Sequence, residues 1–267
     1  MADWDPDLYV KFRRYRAEPF EAILAKLTSF RSDHRIADLG CGTGEHTAEL
    51  ARRAVNGLAV GIDSSPAMLE RAIALRQTLG PEVRGRLRFE LGDIRRFAAH
   101  REYSVVFSNA AFQWLDDHAD VFARCFEALV PGGDLIVQMP ANDHETAQLT
   151  LDALARQVPW RATLDGVRPP SYGVGSPEKY QRMLAAIGFE RIDCYYQTFL
   201  HPMDSPAEIA QWCQATVLRR YLDRLASDQR APFVGAFTKQ LEAAYGGIGP
   251  VVFRFRRIFI WASRSCS

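Results

Sequence analysis

A chain of 267 residues with 33 Lys and Arg against 32 Asp and Glu carries a formal charge of +1, so any work done by positive charge is local and a strongly basic nucleic-acid binder is not indicated. The length suits one large α/β domain with an insertion and is ample for a sheet covered on both faces. Five cysteines, Cys41, Cys125, Cys194, Cys213 and Cys266, lie scattered with no C-x-x-C pair or histidine at metal spacing, which points to reduced thiols, a cytoplasmic setting and no metal.

The first six residues, Met1-Ala2-Asp3-Trp4-Asp5-Pro6, are acidic and lack an apolar run, so they do not read as a secretory signal. No stretch is long enough to span a bilayer, and no membrane partner is expected. Residues 3 to 19 bring Tyr9, Phe12 and Arg16 close together. This segment reads either as a helix laid on the core or as part of a lid, residues 1–30, that excludes water from a site. Phe20, Ile23, Leu24 and Leu27 recur at helical spacing and predict a covering helix from Phe20 to Phe30.

Ile36, Ala37 and Leu39 form a short buried strand, and Gly40, Gly42 and Gly44 then force a tight turn into a helix running to about Arg53. Glycines on alternate residues let the backbone adopt positive φ and present N–H groups at a helix N-terminus to a ligand. The next strand, Leu58 to Ile62, ends at Asp63, roughly twenty residues on, where an acid reaches a ribose diol. A dinucleotide fingerprint would be G-x-G-x-x-G; here the spacing is G-x-G-x-G after Asp38. That pattern resembles the first motif of the class I S-adenosylmethionine-dependent methyltransferases, and the resemblance implies S-adenosylmethionine with its methionine part over the glycine turn.

Ser64-Ser65-Pro66 reads as a helix start, and in the resembled fold Met68, one turn in, lies beside the adenine. Leu87 to Leu91 alternates as a third strand, followed by Asp93 and Ile94, an acceptor for an adenine amino group and an apolar contact for its ring. Tyr103 to Phe107 is a fourth strand, delivering Asn109, Gln113 and Trp114 to the carboxyl edge, where ligands of open parallel sheets lie. A helix over 119–129 is expected to end at Pro131-Gly132-Gly133, before a fifth strand from Leu135 to Met139. Beyond it, the pattern predicts helices over 147–158 and 178–186, a strand over 191–199, a long helical stretch over 205–245 and a last strand from Val251 to Trp261. The expected fold is therefore α/β: a Rossmann-like, doubly wound, seven-stranded sheet with its last strand antiparallel and a helical insertion covering the substrate. The whole chain, 1–267, is read as a single domain with a cofactor-binding core over 31–140 and substrate-side insertions over 141–190 and 204–248.

Further residues carry a closer resemblance. Asp3-Trp4, Pro6, Leu8-Tyr9 and Phe12 at the start, Gln138-Met139-Pro140 in the core, and His201, Met203, Trp212 and Leu218-Arg219 in the insertion fall at the spacing of the trans-aconitate 2-methyltransferase family. The resemblance covers nearly the full length and implies transfer of a methyl group to a small polycarboxylic acid. Departures occur at Val217 and Arg220 around Leu218-Arg219, at Arg256 beside Arg257, and at Asp143-His144.

A carboxylate is ionised near neutral pH, so the reaction needs orientation and exclusion of water, and no catalytic acid or base is expected. A polyanion calls for arginines, whose forks bind carboxylates bidentately. Arg16, Arg219, Arg220 and Arg257 are the candidates, with Tyr9, Gln113, Trp114, His201 and Tyr221 as hydrogen-bonding or shaping groups. Cofactor contacts are expected from Asp38, Gly40, Gly42, Gly44, Asp63, Ser64, Met68, Asp93, Ile94 and Asn109. Alternative readings are methyl transfer to a hydroxyl, amine or carbon acceptor, and an S-adenosylmethionine-binding module without turnover.

Overall fold

In the computed structural model, residues 12–27, 33–169, 173–214 and 216–266 are described; Tyr9 lies outside them. Strands β1 (Arg35–Leu39), β2 (Leu58–Asp63), β3 (Leu87–Leu91), β4 (Tyr103–Asn109), β5 (Leu129–Pro140), β6 (Glu190–Met203) and β7 (Val251–Ser263) form one sheet in the order β3-β2-β1-β4-β5-β7-β6. The first five are parallel. The last strand is antiparallel, as the sequence reading expects, and it lies between β5 and β6.

Local signals explain the helices. Helix α1 (Arg13–Lys26) runs through Pro19, so the separate segments read before and after that residue are one element that forgoes a single backbone bond. Helix α2 (Glu45–Arg53) starts at Gly44, φ 85°. Helix α3 (Pro66–Thr78) is capped by the Ser65 side chain with Pro66 in its first turn. A short helix α4 (Pro81–Gly85) precedes β3, and α5 (His118–Ala128) is capped by Asp117, which accepts from the Ala119 and Asp120 amides.

The helix ends at Ala128, close to where it is expected to, but the strand starts earlier than Leu135: β5 begins at Leu129 and passes through Pro131-Gly132-Gly133. Tyr103 pairs with Leu129 and Val105 with Asp134, so the intervening residues form a bulge, with Gly132 at φ 76° and its N–H shared between the Arg264 and Ser265 carbonyls at 3.1 Å. Arg264 itself donates to the Phe126 carbonyl at 2.6 Å and the Leu129 carbonyl at 3.1 Å, which satisfies acceptors at the end of α5.

Helices α6 (Thr146–Ala155) and α7 (Pro177–Ile187) follow, the latter closed by Gly188 at φ 114°. The stretch read as long and helical divides into α8 (Pro206–Gln214), α9 (Leu218–Leu222) and α10 (Ser227–Tyr245). After α8, the Thr216 hydroxyl takes the Trp212 carbonyl at 3.1 Å, a local alternative to continuing the helix.

The chain forms two compact units. One comprises Phe20–Met139, Gly173–Gln197 and Ile258–Ser267, with the parallel strands and their covering helices. The other comprises Met1–Pro19, Pro140–Tyr172 and Thr198–Arg257, with a core that includes Trp212, Tyr221, Phe233, Phe237 and Phe253. Among the described residues, no helix is long and apolar enough to cross a membrane.

Candidate functional site

In the sheet unit, the carboxyl ends of β1, β2, β3 and β4 place the glycine turn, Asp63, Asp93 and Asn109 along one edge. The three glycines of the turn all have positive φ, but they do different work. A Cβ on Gly40 would stand 2.2 Å from the Ala111 Cβ, and one on Gly44 would stand 2.5 Å from the Phe89 ring. A Cβ on Gly42 would meet nothing within 4 Å. Gly40 and Gly44 are therefore required by packing, whereas Gly42 keeps open a space that a ligand can enter.

Asp63 accepts from the Gly42 amide through Oδ2 and from the Ser65 amide through Oδ1, each at 2.9 Å. Each oxygen retains a lone pair for a diol. Asn109 sets its Nδ2 at 3.3 Å from His46 Nδ1, while its buried Oδ1 has no hydrogen-bond partner among the described residues. An acceptor left in that state fits a ligand that brings a donor. Asp38 is buried and accepts from the Thr47 hydroxyl at 2.6 Å; burial, and secondarily the charge of Asp63, raise its pKa to about 7.

Ser64 and Met68 are exposed, and Ile94 is half-buried. Asp93 turns its carboxylate onto the Arg95 guanidinium at 2.6 Å, and that hydrogen bond holds it below the ordinary carboxylate range. After β4, Ala110 adopts φ 57°, Gln113 is buried and Trp114 is 51 % exposed. Gln113 donates to the Ala110 carbonyl at 2.6 Å, and its Oε1 finds no partner among the described residues.

The other unit gathers three of the predicted cationic or polar groups. Arg16 on α1 lies over the Trp212 ring at 5.1 Å, and Arg257 on β7 lies over Phe255 at 4.6 Å. His201, 1 % exposed, stacks on Trp212 at 5.4 Å and lies 4.5 Å from the Tyr15 ring. Burial, with the neighbouring Arg16 charge, lowers the Arg257 pKa to about 9. Burial and Arg257 lower that of His201 to about 4, so this imidazole is neutral at pH 7. Half-buried Arg16 and buried Arg257 repel each other, which an anionic ligand would ease.

The remaining predicted residues of this unit are less closely grouped. Arg219 is half-buried on α9, and the exposed Arg220 donates to the Arg168 carbonyl at 3.4 Å. Tyr221 is buried, its hydroxyl without a hydrogen-bond partner among the described residues, and burial raises its pKa. Sequence reasoning did not single out Tyr15, Trp212 and Phe255 as site groups. In β7, however, Phe253, Phe255 and Arg257 fall at every second residue, and that alternation alone puts Arg257 on the aromatic face. No metal-holding cluster occurs among the described residues.

The chain matches the methyltransferase-domain family over residues 36–133. It is 36% identical to the trans-aconitate 2-methyltransferase of Methylobacterium radiotolerans, over 99% of this chain and all of that one. It is also 36% identical to the protein of that name from Sinorhizobium fredii, over 98% of this chain and 99% of the other. Among solved structures, phosphoethanolamine N-methyltransferase 2 of Haemonchus contortus in complex with S-adenosyl-L-methionine superposes with a TM-score of 0.56 at 19% identity. That likeness covers 91% of this chain and 52% of the other, and it concerns the fold. With 36% identity to these relatives over nearly the full length, beyond the glycine turn and the parallel sheet, the chain belongs to the trans-aconitate 2-methyltransferase family.

Proposed function

We propose that the protein transfers a methyl group from S-adenosylmethionine to a carboxylate of a small polycarboxylic acid, trans-aconitate being the leading substrate, and that it does so in the cytoplasm. What carries the choice of acceptor is half-buried Arg16 and buried Arg257 on aromatic faces near a neutral His201. Such a pair suits carboxylates, and a His201 whose pKa is lowered to about 4 is a weak base for a hydroxyl or amine acceptor.

The sheet unit has the features the cofactor requires. The space over Gly42 takes the backbone-hugging part, Asp63 the ribose hydroxyls and Asn109 Oδ1 a donor, while Asp38 supplies negative charge toward a cationic ligand. Bound there, S-adenosylmethionine would supply a methyl carbon activated by its sulfonium, open to in-line attack by a carboxylate oxygen with the neutral thioether as leaving group. Arg16 and Arg257 bind the acid by its carboxylates, against the aromatic side chains of their own unit.

The test is transfer of isotopically labelled methyl to trans-aconitate, cis-aconitate, citrate and isocitrate, with hydroxyl and amine acceptors alongside. Base-labile label on an acid is expected, with Arg16→Ala raising KM for that acid at least tenfold. Label on a hydroxyl or amine only would overturn the reading.

The glycine turn gives a second check. Gly40→Ala is expected to cost about 2–4 kcal/mol of stability through the Ala111 clash and the left-handed backbone, read by urea unfolding. Gly42→Ala carries only the backbone penalty, about 1–2 kcal/mol. It is expected to fold yet bind S-adenosylmethionine at least tenfold more weakly by calorimetry.

A further inference from the structure

Next to the Phe112–Trp114 turn, a chain of three hydrogen bonds runs through side chains that the chemistry above does not use. The Gly175 amide donates to Tyr180 Oη at 3.0 Å, Tyr180 Oη lies 2.6 Å from His118 Nδ1, and His118 Nε2 lies 2.8 Å from the Phe112 carbonyl oxygen. The backbone at either end fixes every proton. An amide N–H only donates and a carbonyl only accepts, so His118 carries its proton on Nε2 and its Nδ1 accepts from the Tyr180 hydroxyl. Both side chains are buried, their rings stacked at 5.6 Å, with Phe122 edge-on to Tyr180 at 5.8 Å.

The segment held by this chain is strained. Ala110 sits at φ 57°, a conformation that persists in an L residue only where its surroundings over-determine it. Its N–H donates to the Gln138 carbonyl at 2.9 Å, its carbonyl takes the Gln113 side chain at 2.6 Å, and the next residue, Ala111, fills the space that a Cβ on Gly40 would need. The Phe112 carbonyl accepts from Leu115 N at 3.0 Å as well as from His118. We propose that His118 and Tyr180 are positioning residues that lock the Ala110–Trp114 turn and so hold Gln113 in place at the carboxyl edge of the sheet. A part for Gln113 in turnover rests on the methyl-transfer reading; the lock itself does not.

The chain keeps its direction only while His118 is neutral. Burial, aided by Lys179 on α7, holds its pKa below the ordinary histidine range against the opposing charges of Asp116 and Asp117. Cys194 and Tyr196 on β6 are the further titratable groups near Tyr180. Protonated, Nδ1 would turn donor and face an oxygen that already accepts from Gly175, so the Tyr180 hydroxyl proton would have to point elsewhere.

Tyr180→Phe keeps the ring and deletes the hydroxyl; His118→Gln, which can still donate to the Phe112 carbonyl, is the second variant should the first not fold. In Tyr180→Phe the Gln113 side-chain amide signals are expected to shift or broaden by NMR, and the His118 titration to move up in pH. The kcat for acid methylation is expected to fall about tenfold, the scale of one lost hydrogen bond, while the Kd for S-adenosylmethionine stays within about twofold; His118→Gln falls between this variant and wild type. Unchanged Gln113 signals and unchanged kcat in a variant whose Tm has dropped would overturn the proposal and leave the chain a merely stabilising one. A wild-type protein that labels no acid removes the methyl-transfer reading, whereas the Gln113 amide still decides the lock.

Discussion

Arg257→Met is expected to raise the Tm of the ligand-free protein by several degrees while lowering kcat/KM for the acid by at least 100-fold. The guanidinium is buried against Phe255 beside the charge of Arg16, and its pKa falls to about 9. A base whose folded pKa lies below its unfolded value destabilises the fold while it is charged. The penalty is fully present below pH 9 and lifts as pH rises from there toward the unfolded value. A methionine of similar length removes the charge and keeps much of the contact with the aromatic face. The acid then loses a buried, charge-assisted partner, on the order of 3–5 kcal/mol. Thermal melts at pH 8 and initial rates against acid concentration decide the matter. An unchanged KM and kcat would show that Arg257 does not touch the acid.

Asp38→Asn gives the second large effect, in a direction that depends on pH. Burial raises the pKa of Asp38 to about 7 against an ordinary value of 3.8, so the folded state holds a proton that the unfolded state releases. Stability attributable to this group is greatest below about pH 4 and is lost as pH rises toward 7. Asparagine keeps an acceptor for the Thr47 hydroxyl and does not ionise. The variant is therefore expected to melt near the wild-type temperature at pH 4.5 and several degrees above it at pH 8.

Binding should run the other way. S-adenosylmethionine is cationic, so its binding is expected to release a proton from Asp38 below pH 7, and its affinity should rise up to about tenfold per pH unit toward that point. Calorimetry in buffers of different ionisation heat reads the proton directly. Its release from wild type but not from Asp38→Asn is the expected result; equal release from both would remove Asp38 from the cofactor site.

The sheet-edge half of the candidate site was legible because backbone geometry dictates it. Alternate glycines after a buried strand, and an acid at the end of the next, admit few conformations, and the structure puts Gly42, Asp63 and Asn109 on one sheet edge. The sequence also pointed to Asp93, but not to its nearer claimant, Arg95, two residues away, because a carboxylate chooses among donors by distances that spacing alone does not give. On the acid side, an arginine reads as solvated by default. Arg219 and Arg220 sit on a helix of only five residues, Leu218–Leu222, whose facing depends on how the helical stretch breaks after Trp212. Arg257 was readable from the two-residue period it shares with Phe253 and Phe255, and Trp212 and Tyr15 emerge as its setting only once the chain is folded.

The strand order β5-β7-β6 also sets a timetable. On the ribosome, β5 and β6 emerge well before β7, the strand that must enter between them, and until then β5 exposes a bare sheet edge and the terminal carbonyls of α5 wait for Arg264. A nascent chain in that condition can pair its two finished strands wrongly or recruit a neighbour. The edge of β5 closes only when β7 inserts, so a substitution in residues 258–264 is expected to show first as poor yield during synthesis.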